Sequence, residues 1–104
     1  MAFIIIIIVI IIIDGGFGGF GAASPVGRWE LEGYNGEYTA TIKQDGTFSR
    51  AQDGVAYETG TWTQDGKHVD LRCLILNGQP YDETSYWVIS GDRMTSGQNA
   101  LVRV

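Results

Sequence analysis

The sequence predicts a small all-β domain, an up-and-down antiparallel barrel of about eight strands, behind a hydrophobic N-terminal segment. Two observations lead to this fold class. From Gly27 onward, Asn-Gly and Asp-Gly dipeptides recur at short intervals, and both favour the positive φ values that two-residue hairpin turns require. Between these turns apolar and polar residues alternate, and no apolar pattern with helical spacing appears.

The N-terminal segment is an unbroken aliphatic run from Ile4 to Ile13. A transmembrane helix needs about 20 apolar residues, so the run spans a membrane only if it continues through the following Gly- and Phe-rich stretch. We therefore predict a transmembrane-type anchor helix at residues 1–24 and a separate barrel domain at residues 25–104. No Lys or Arg precedes the run, so charge gives little information on orientation, and we expect the barrel on the exported side.

The anchor helix has features of a helix that packs against other protein. A carboxylate near its middle needs a partner, since a lone buried charge costs a few kcal/mol. Small residues spaced along one face allow a second helix to approach closely. The predicted contact residues are Asp14, Gly15, Gly18, Gly19 and Ala22.

Two other interpretations of this segment stay open. The aliphatic run has the length of a signal-peptide core, and Gly21–Ala23 resembles a cleavage site. We favour a retained anchor, because the run lacks a preceding basic residue and Asp14 is unusual in a signal peptide. An uncharged β-branched run also suits an assembly core, which corresponds to a pilin-like filament subunit.

The strands of the barrel domain follow from alternation between turns. Val69, Leu71, Cys73 and Ile75, for example, fall on one face of a single strand. Closing such strands into a barrel removes both sheet edges, and a β-sandwich is the alternative. The predicted strands are 28–33, 37–43, 47–52, 55–63, 68–76, 84–90, 92–96 and 99–104.

A G-x-W motif, Gly27-Arg28-Trp29, opens the first strand, and Arg103 lies on the last. Together with the segment from Gly46-Thr47-Phe48 to Gly60-Thr61-Trp62, this pattern resembles the lipocalin and calycin barrels, and in particular small bacterial lipocalin-like domains. In that family the tryptophan packs beneath an arginine of the final strand and closes the barrel floor. The resemblance implies this role for Trp29 and Arg103, and it implies a small hydrophobic ligand inside the barrel.

Several classes of function are disfavoured by the composition. The net charge is −5 and the seven basic residues are scattered, which argues against nucleic acid as a partner. His68 and Cys73 are the only residues of their types and fall on opposite faces of one strand, so we expect no metal site. No nucleophile and base are paired, and we therefore expect no catalytic or cofactor-binding residues and no enzyme activity.

The segment Tyr86-Trp87-Val88-Ile89 is apolar on both faces, so one face needs cover outside the barrel. The predicted contact residues of the barrel are Leu74, Leu76, Trp87 and Ile89. The leading functional hypothesis is a non-enzymatic, membrane-anchored accessory or structural subunit of a larger membrane protein assembly. It would dock through its helix and this barrel face. The alternatives are a carrier of a small hydrophobic ligand and the filament subunit.

Overall fold

The computed structural model describes residues 23–104, which form a closed antiparallel β-barrel. Each strand pairs with the next one along the chain, and the last strand returns to pair with the first. The predicted all-β, up-and-down barrel of eight strands is therefore confirmed, in place of the β-sandwich alternative. The strands are β1 (Gly27–Leu31), β2 (Tyr38–Ile42), β3 (Thr47–Gln52), β4 (Val55–Asp65), β5 (His68–Leu76), β6 (Gln79–Ser90), β7 (Arg93–Ser96) and β8 (Asn99–Arg103).

The tight turns are formed by the dipeptides that the sequence indicated. Asp53 and Gly54 join β3 to β4 with φ values of 52° and 82°. Asn77 and Gly78 join β5 to β6 with φ values of 52° and 79°. Two successive positive φ values match the right-handed twist of the flanking strands, so these turns set the register of their hairpins.

Strand β6 is longer than its sequence pattern predicted. It begins at Gln79, directly after the turn, and not at residue 84. Residues 79–83 are all exposed and show no apolar alternation, which is why the pattern missed them. Pro80 lies opposite Ile75 near the hairpin end, beside an irregularity in the pairing, where a missing backbone N–H is tolerated.

A β-bulge at Leu74 reverses the in–out alternation of β5. The pairing with both neighbouring strands passes from Cys73 to Ile75 and skips Leu74. As a result Ile75 is 47% exposed, whereas Leu76 packs against the core. The expectation that Ile75 shares the inward face of Cys73 was therefore wrong.

The barrel interior is filled by buried apolar side chains from every strand except β4, whose Trp62 is only partly buried against this core. Strand β4 instead contributes Gly60, where the backbone of β5 approaches closely, and the buried carboxylate of Glu58. The buried apolar residues are Trp29, Ala40, Ile42, Phe48, Val69, Leu71, Cys73, Trp87, Ile89, Met94, Ala100 and Leu101.

The predicted anchor helix lies outside the described residues, apart from the last two positions of the range 1–24. The same applies to its contact residues, Asp14, Gly15, Gly18, Gly19 and Ala22. Within residues 23–104, no helix is long and apolar enough to cross a membrane.

Candidate functional site

One end of the barrel is closed by Trp29 and Arg103, which pair across β1 and β8. The indole of Trp29 has no exposed surface, and the guanidinium carbon of Arg103 lies 4.3 Å from the centre of its ring. A guanidinium over an indole face is attracted by the ring quadrupole. The structure thus brings together the two residues to which the resemblance assigned the barrel floor.

The segment of residues 23–26, here called the strap, is bound to this floor. Its four consecutive backbone carbonyls each accept a hydrogen bond from a floor side chain, and Pro25 is fully buried. The donors are Gln64 Nε2 to Ala23 O at 2.7 Å, Arg103 Nη2 to Ser24 O at 2.8 Å, Trp29 Nε1 to Pro25 O at 2.8 Å and Arg103 Nη1 to Val26 O at 2.8 Å. These bonds fix the point at which the chain enters the barrel.

The structure explains why the G-x-W motif begins with a glycine. Gly27 has a φ of 140°, and a Cβ at this position would lie 2.8 Å from Nη1 of Arg103. Alanine would therefore strain the backbone and displace the guanidinium from the carbonyl of Val26.

We expect Gly27→Ala to lower the free energy of unfolding by about 1–3 kcal/mol, measured by urea denaturation. Gly46→Ala is the control, because Gly46 also has a positive φ of 91° but has no atom within 4 Å of its Cβ position. A larger loss at Gly27 is predicted. Equal losses for the two variants would show that the contact with Arg103 adds nothing.

The opposite end of the barrel opens into a cavity of about 300 Å³. This volume is at the lower end of the range for small-molecule sites. The wall combines aromatic rings, two leucines and a few polar side chains, which is the usual composition of such sites. The lining residues are Leu31, Tyr34, Tyr38, Thr39, Arg50, Tyr57, Ser85, Trp87, Ser96, Asn99 and Leu101.

An ion pair lies at the wall of this cavity. Arg50 and Glu58 are directly opposite on β3 and β4, and Nη2 and Nε of Arg50 lie 3.1 and 3.2 Å from Oε1 of Glu58. Glu58 is only 9% exposed, so the pair sits in a poorly solvated environment where each charge needs the other. Burial raises the pKa of Tyr57 beside it, and this phenol keeps its O–H at neutral pH.

Other polar groups of the cavity wall are already oriented. The indole N–H of Trp87 donates to Ser85 Oγ at 2.8 Å, which leaves the hydroxyl hydrogen of Ser85 free to donate in turn. Tyr34, from the loop after β1, meets the ring of Tyr38 edge-on at a centroid distance of 5.2 Å. The cavity therefore has fixed aromatic faces and a small number of hydrogen-bond donors.

Sequence reasoning did not identify Arg50 or Glu58 as site residues. The signal for Arg50 was its position two residues after Phe48 on the same strand, which places both side chains on the inward face. The partner of Arg50 depends on the register between β3 and β4, which includes an irregularity after Arg50.

Cys73 is buried next to this ion pair. It is 4% exposed, and its thiol donates to the carbonyl oxygen of Ile75 at 3.4 Å. Burial, followed by the negative charge of Glu58, raises the pKa of the thiol to about 11. The thiolate is the reactive form, so this cysteine is chemically inert in the folded barrel.

We expect Cys73 to resist alkylation by iodoacetamide at pH 8 in the native chain and to react readily in urea. The pKa of the thiol rises from 9.0 to about 11 on folding, so the folded chain holds the thiol proton more tightly than the unfolded chain does. The resulting contribution to the free energy of unfolding is fully present below pH 9 and is lost as the pH rises through about 11. Mass spectrometry of the alkylated chain measures the first effect. Rapid native alkylation at pH 8 would contradict the buried placement.

The predicted barrel contact residues do not form an outer surface. Trp87 and Ile89 are 3% and 1% exposed and belong to the core, whereas Tyr86 and Val88, at 67% and 41%, face outward. Leu74 and Leu76 are half-buried, and Leu76 packs against the core. The prediction is corrected accordingly: the outward apolar side chains of this strand are those of Tyr86 and Val88.

The remaining sequence candidate, His68, is not among the residues that line the cavity. His68 is exposed at the start of β5, near the floor end of the barrel. Within residues 23–104, no group of three or more His, Cys, Asp or Glu side chains could hold a metal ion.

Comparisons with protein-family models, with curated proteins and with solved structures found no match to this chain. The closed barrel of eight antiparallel strands fits a lipocalin-like barrel in its architecture. The features of the chain that bear on its function are therefore the floor, the cavity and the residues that line it.

Proposed function

We propose that this chain is a small-molecule-binding barrel whose ligand occupies the cavity at its open end. The observation that carries the proposal is the asymmetry of the barrel. Trp29, Arg103 and the strap close one end, while the other opens into a cavity of about 300 Å³ with aromatic walls. A preformed concave site with a few placed polar groups is what small-molecule recognition requires.

The cavity geometry favours the ligand carrier over the membrane-anchored subunit as the main function. The two are compatible, because the strap places Ala23, the first described residue, at the closed end. With the residues before the strap as a membrane anchor, the floor would face the bilayer on its exported side and the cavity would open away from it.

The test is the binding of a neutral aromatic probe, 1-naphthol, followed through its fluorescence with the full chain in mild detergent. Ser96 lines the cavity, so Ser96→Trp should fill it and weaken binding at least about tenfold. Ser90→Trp is the matched control, because Ser90 is exposed at the other end of the barrel. Absence of binding by the wild type, or equal binding by Ser96→Trp, would overturn the proposal.

We also propose the accessory-subunit role as a second function. The apolar run before the strap and the exposed apolar side chains of Tyr86 and Val88 support it. In this hypothesis the helix contacts other membrane subunits through the face that contains Asp14 and Gly19.

Purification in mild detergent followed by mass spectrometry of co-purifying proteins tests the second role. Asp14→Leu and Gly19→Leu should each lose the co-purifying subunits, whereas Ala2→Leu, outside the predicted contact face, should keep them. Co-purification at wild-type levels with Asp14→Leu and Gly19→Leu would remove the hypothesis. Self-assembly of the isolated chain into fibres would favour the filament subunit instead.

A further inference from the structure

The size of the cavity limits its ligand. A cavity of about 150 Å³ in another protein holds one benzene molecule, so a cavity of about 300 Å³ has room for roughly one or two fused rings. The walls suit a flat molecule, because four aromatic side chains line them: Tyr34, Tyr38, Tyr57 and Trp87. Aromatic rings favour edge-to-face and offset-stacked contacts with other rings.

The charges at the cavity favour a neutral ligand. Among the described residues that line it, Arg50 is the only charged one, and its charge is balanced by Glu58 at 3.1 Å. An anionic ligand would have to compete with Glu58 for the guanidinium and leave a buried carboxylate without its partner. A cationic ligand would be repelled by Arg50 itself.

Arg50 nevertheless has hydrogen-bonding capacity to offer. Glu58 engages Nε and Nη2 through a single oxygen, and a guanidinium carries five N–H donors in all. Further N–H groups therefore remain on a side chain that lines the cavity and is 26% exposed. The hydroxyl of Ser85 adds a second donor on the cavity wall.

We propose that the ligand is a neutral, planar aromatic compound of one or two fused rings that bears a carbonyl-type hydrogen-bond acceptor. The rings pack among Tyr38, Tyr57 and Trp87, and the acceptor receives a hydrogen bond from Arg50. Glu58 acts as a positioning residue that holds the guanidinium in place and balances its charge. This inference rests on the proposed ligand-binding function and specifies the chemistry of the same site.

Three matched probes test the inference: 1-indanone, indane and indane-1-carboxylate. They share a fused ring system and differ in carrying a ketone, no acceptor or a negative charge. Binding is followed by NMR of the full chain in lipid nanodiscs, with the indole N–H signals of Trp87 and Trp29 as reporters of the cavity and the floor. We expect 1-indanone to bind about tenfold more tightly than either of the others, as a hydrogen bond to a charged donor predicts. The Trp87 signal should shift and the Trp29 signal should not.

Variants of the ion pair show whether the preference comes from Arg50. Arg50→Met leaves the buried Glu58 without a partner and can fail to fold, so the double variant Arg50→Met/Glu58→Leu is the main test. Removing both partners leaves no buried charge unpaired. The double variant should still bind indane and should lose the preference for 1-indanone.

The outcomes separate this inference from the proposed function. Equal binding of indane and 1-indanone by the wild type, tightest binding of the carboxylate, or a preference that survives in the double variant would overturn the ligand class alone. No shift of the Trp87 signal with any of the three probes would overturn the ligand-binding function as well.

Discussion

Gly60→Ala is expected to destabilise the barrel by about 3 kcal/mol or more, as a severe case of overpacking. A Cβ at Gly60 would lie 1.8 Å from the carbonyl oxygen of Arg72, 2.8 Å from its carbonyl carbon and 3.0 Å from the Cα of Cys73. These are backbone atoms of β5 and cannot rotate away, so the two strands must separate to admit a methyl group. The free energy of unfolding in urea is the measurement.

Gly66→Ala is the control for this effect. Gly66 lies in the turn after β4 with a φ of 62°, and no atom lies within 4 Å of its Cβ position. The substitution therefore tests backbone conformation without crowding and should cost about 1 kcal/mol. A loss at Gly60 no greater than that at Gly66 would contradict the close approach of β4 and β5.

Trp29→Ala is expected to lower the free energy of unfolding by about 3–5 kcal/mol, the usual cost of removing a fully buried large aromatic side chain. The indole has no exposed surface, stacks under Arg103 and donates to the carbonyl of Pro25. Its loss leaves a cavity at the floor and removes one of the bonds to the strap. Trp29→Phe should restore part of the packing and not the hydrogen bond, and therefore give an intermediate loss.

Trp62→Ala provides the comparison for the floor. Trp62 also donates its indole N–H to a backbone carbonyl, that of Lys43 at 2.7 Å, but its side chain is only partly buried. A smaller loss is expected, because less apolar surface is returned to water. An equal loss in the free energy of unfolding for Trp62→Ala and Trp29→Ala would contradict the larger contribution expected from the fully buried indole of Trp29.

Much of the fold was readable from the sequence because turn chemistry is local. Asp53-Gly54 and Asn77-Gly78 adopt the positive φ values that their residue types favour, and each places two strands side by side. Alternation then located most of the strands. The pairing of Trp29 with Arg103 followed from the resemblance, since nothing local links the first strand to the last.

The bulge at Leu74 could not be read in the same way. A bulge is set by the pairing of β5 with both of its neighbours, and alternation along a single strand carries no signal of it. The consequence is that Ile75 faces outward and Leu76 inward, the reverse of the expected pattern.

The orientation of β6 was undetermined for a different reason. Tyr86, Trp87, Val88 and Ile89 are all apolar or aromatic, so alternation does not distinguish the two faces. The structure buries Trp87 and Ile89, and the hydrogen bond from Trp87 to Ser85 satisfies the indole inside the barrel. The candidate site moves accordingly from the outer face of the barrel to its interior.

The ion pair of Arg50 and Glu58 shows why the chemistry of the cavity needed the three-dimensional structure. Charged residues in alternating strands are usually assigned to the solvent face, and neither residue stands out in the sequence. They meet only because the register of β3 and β4 places them opposite each other on inward positions.

The proposed function requires a small molecule to bind at the open end of the barrel and not at the closed floor. The most direct measurement is a set of intermolecular nuclear Overhauser effects between the protein and 1-indanone or indane, whichever of the two binds more tightly. We predict contacts from the bound probe to protons of Tyr38 and Trp87 and none to Trp29. Contacts to the outward-facing Tyr86 and Val88 in place of the cavity residues would contradict the account.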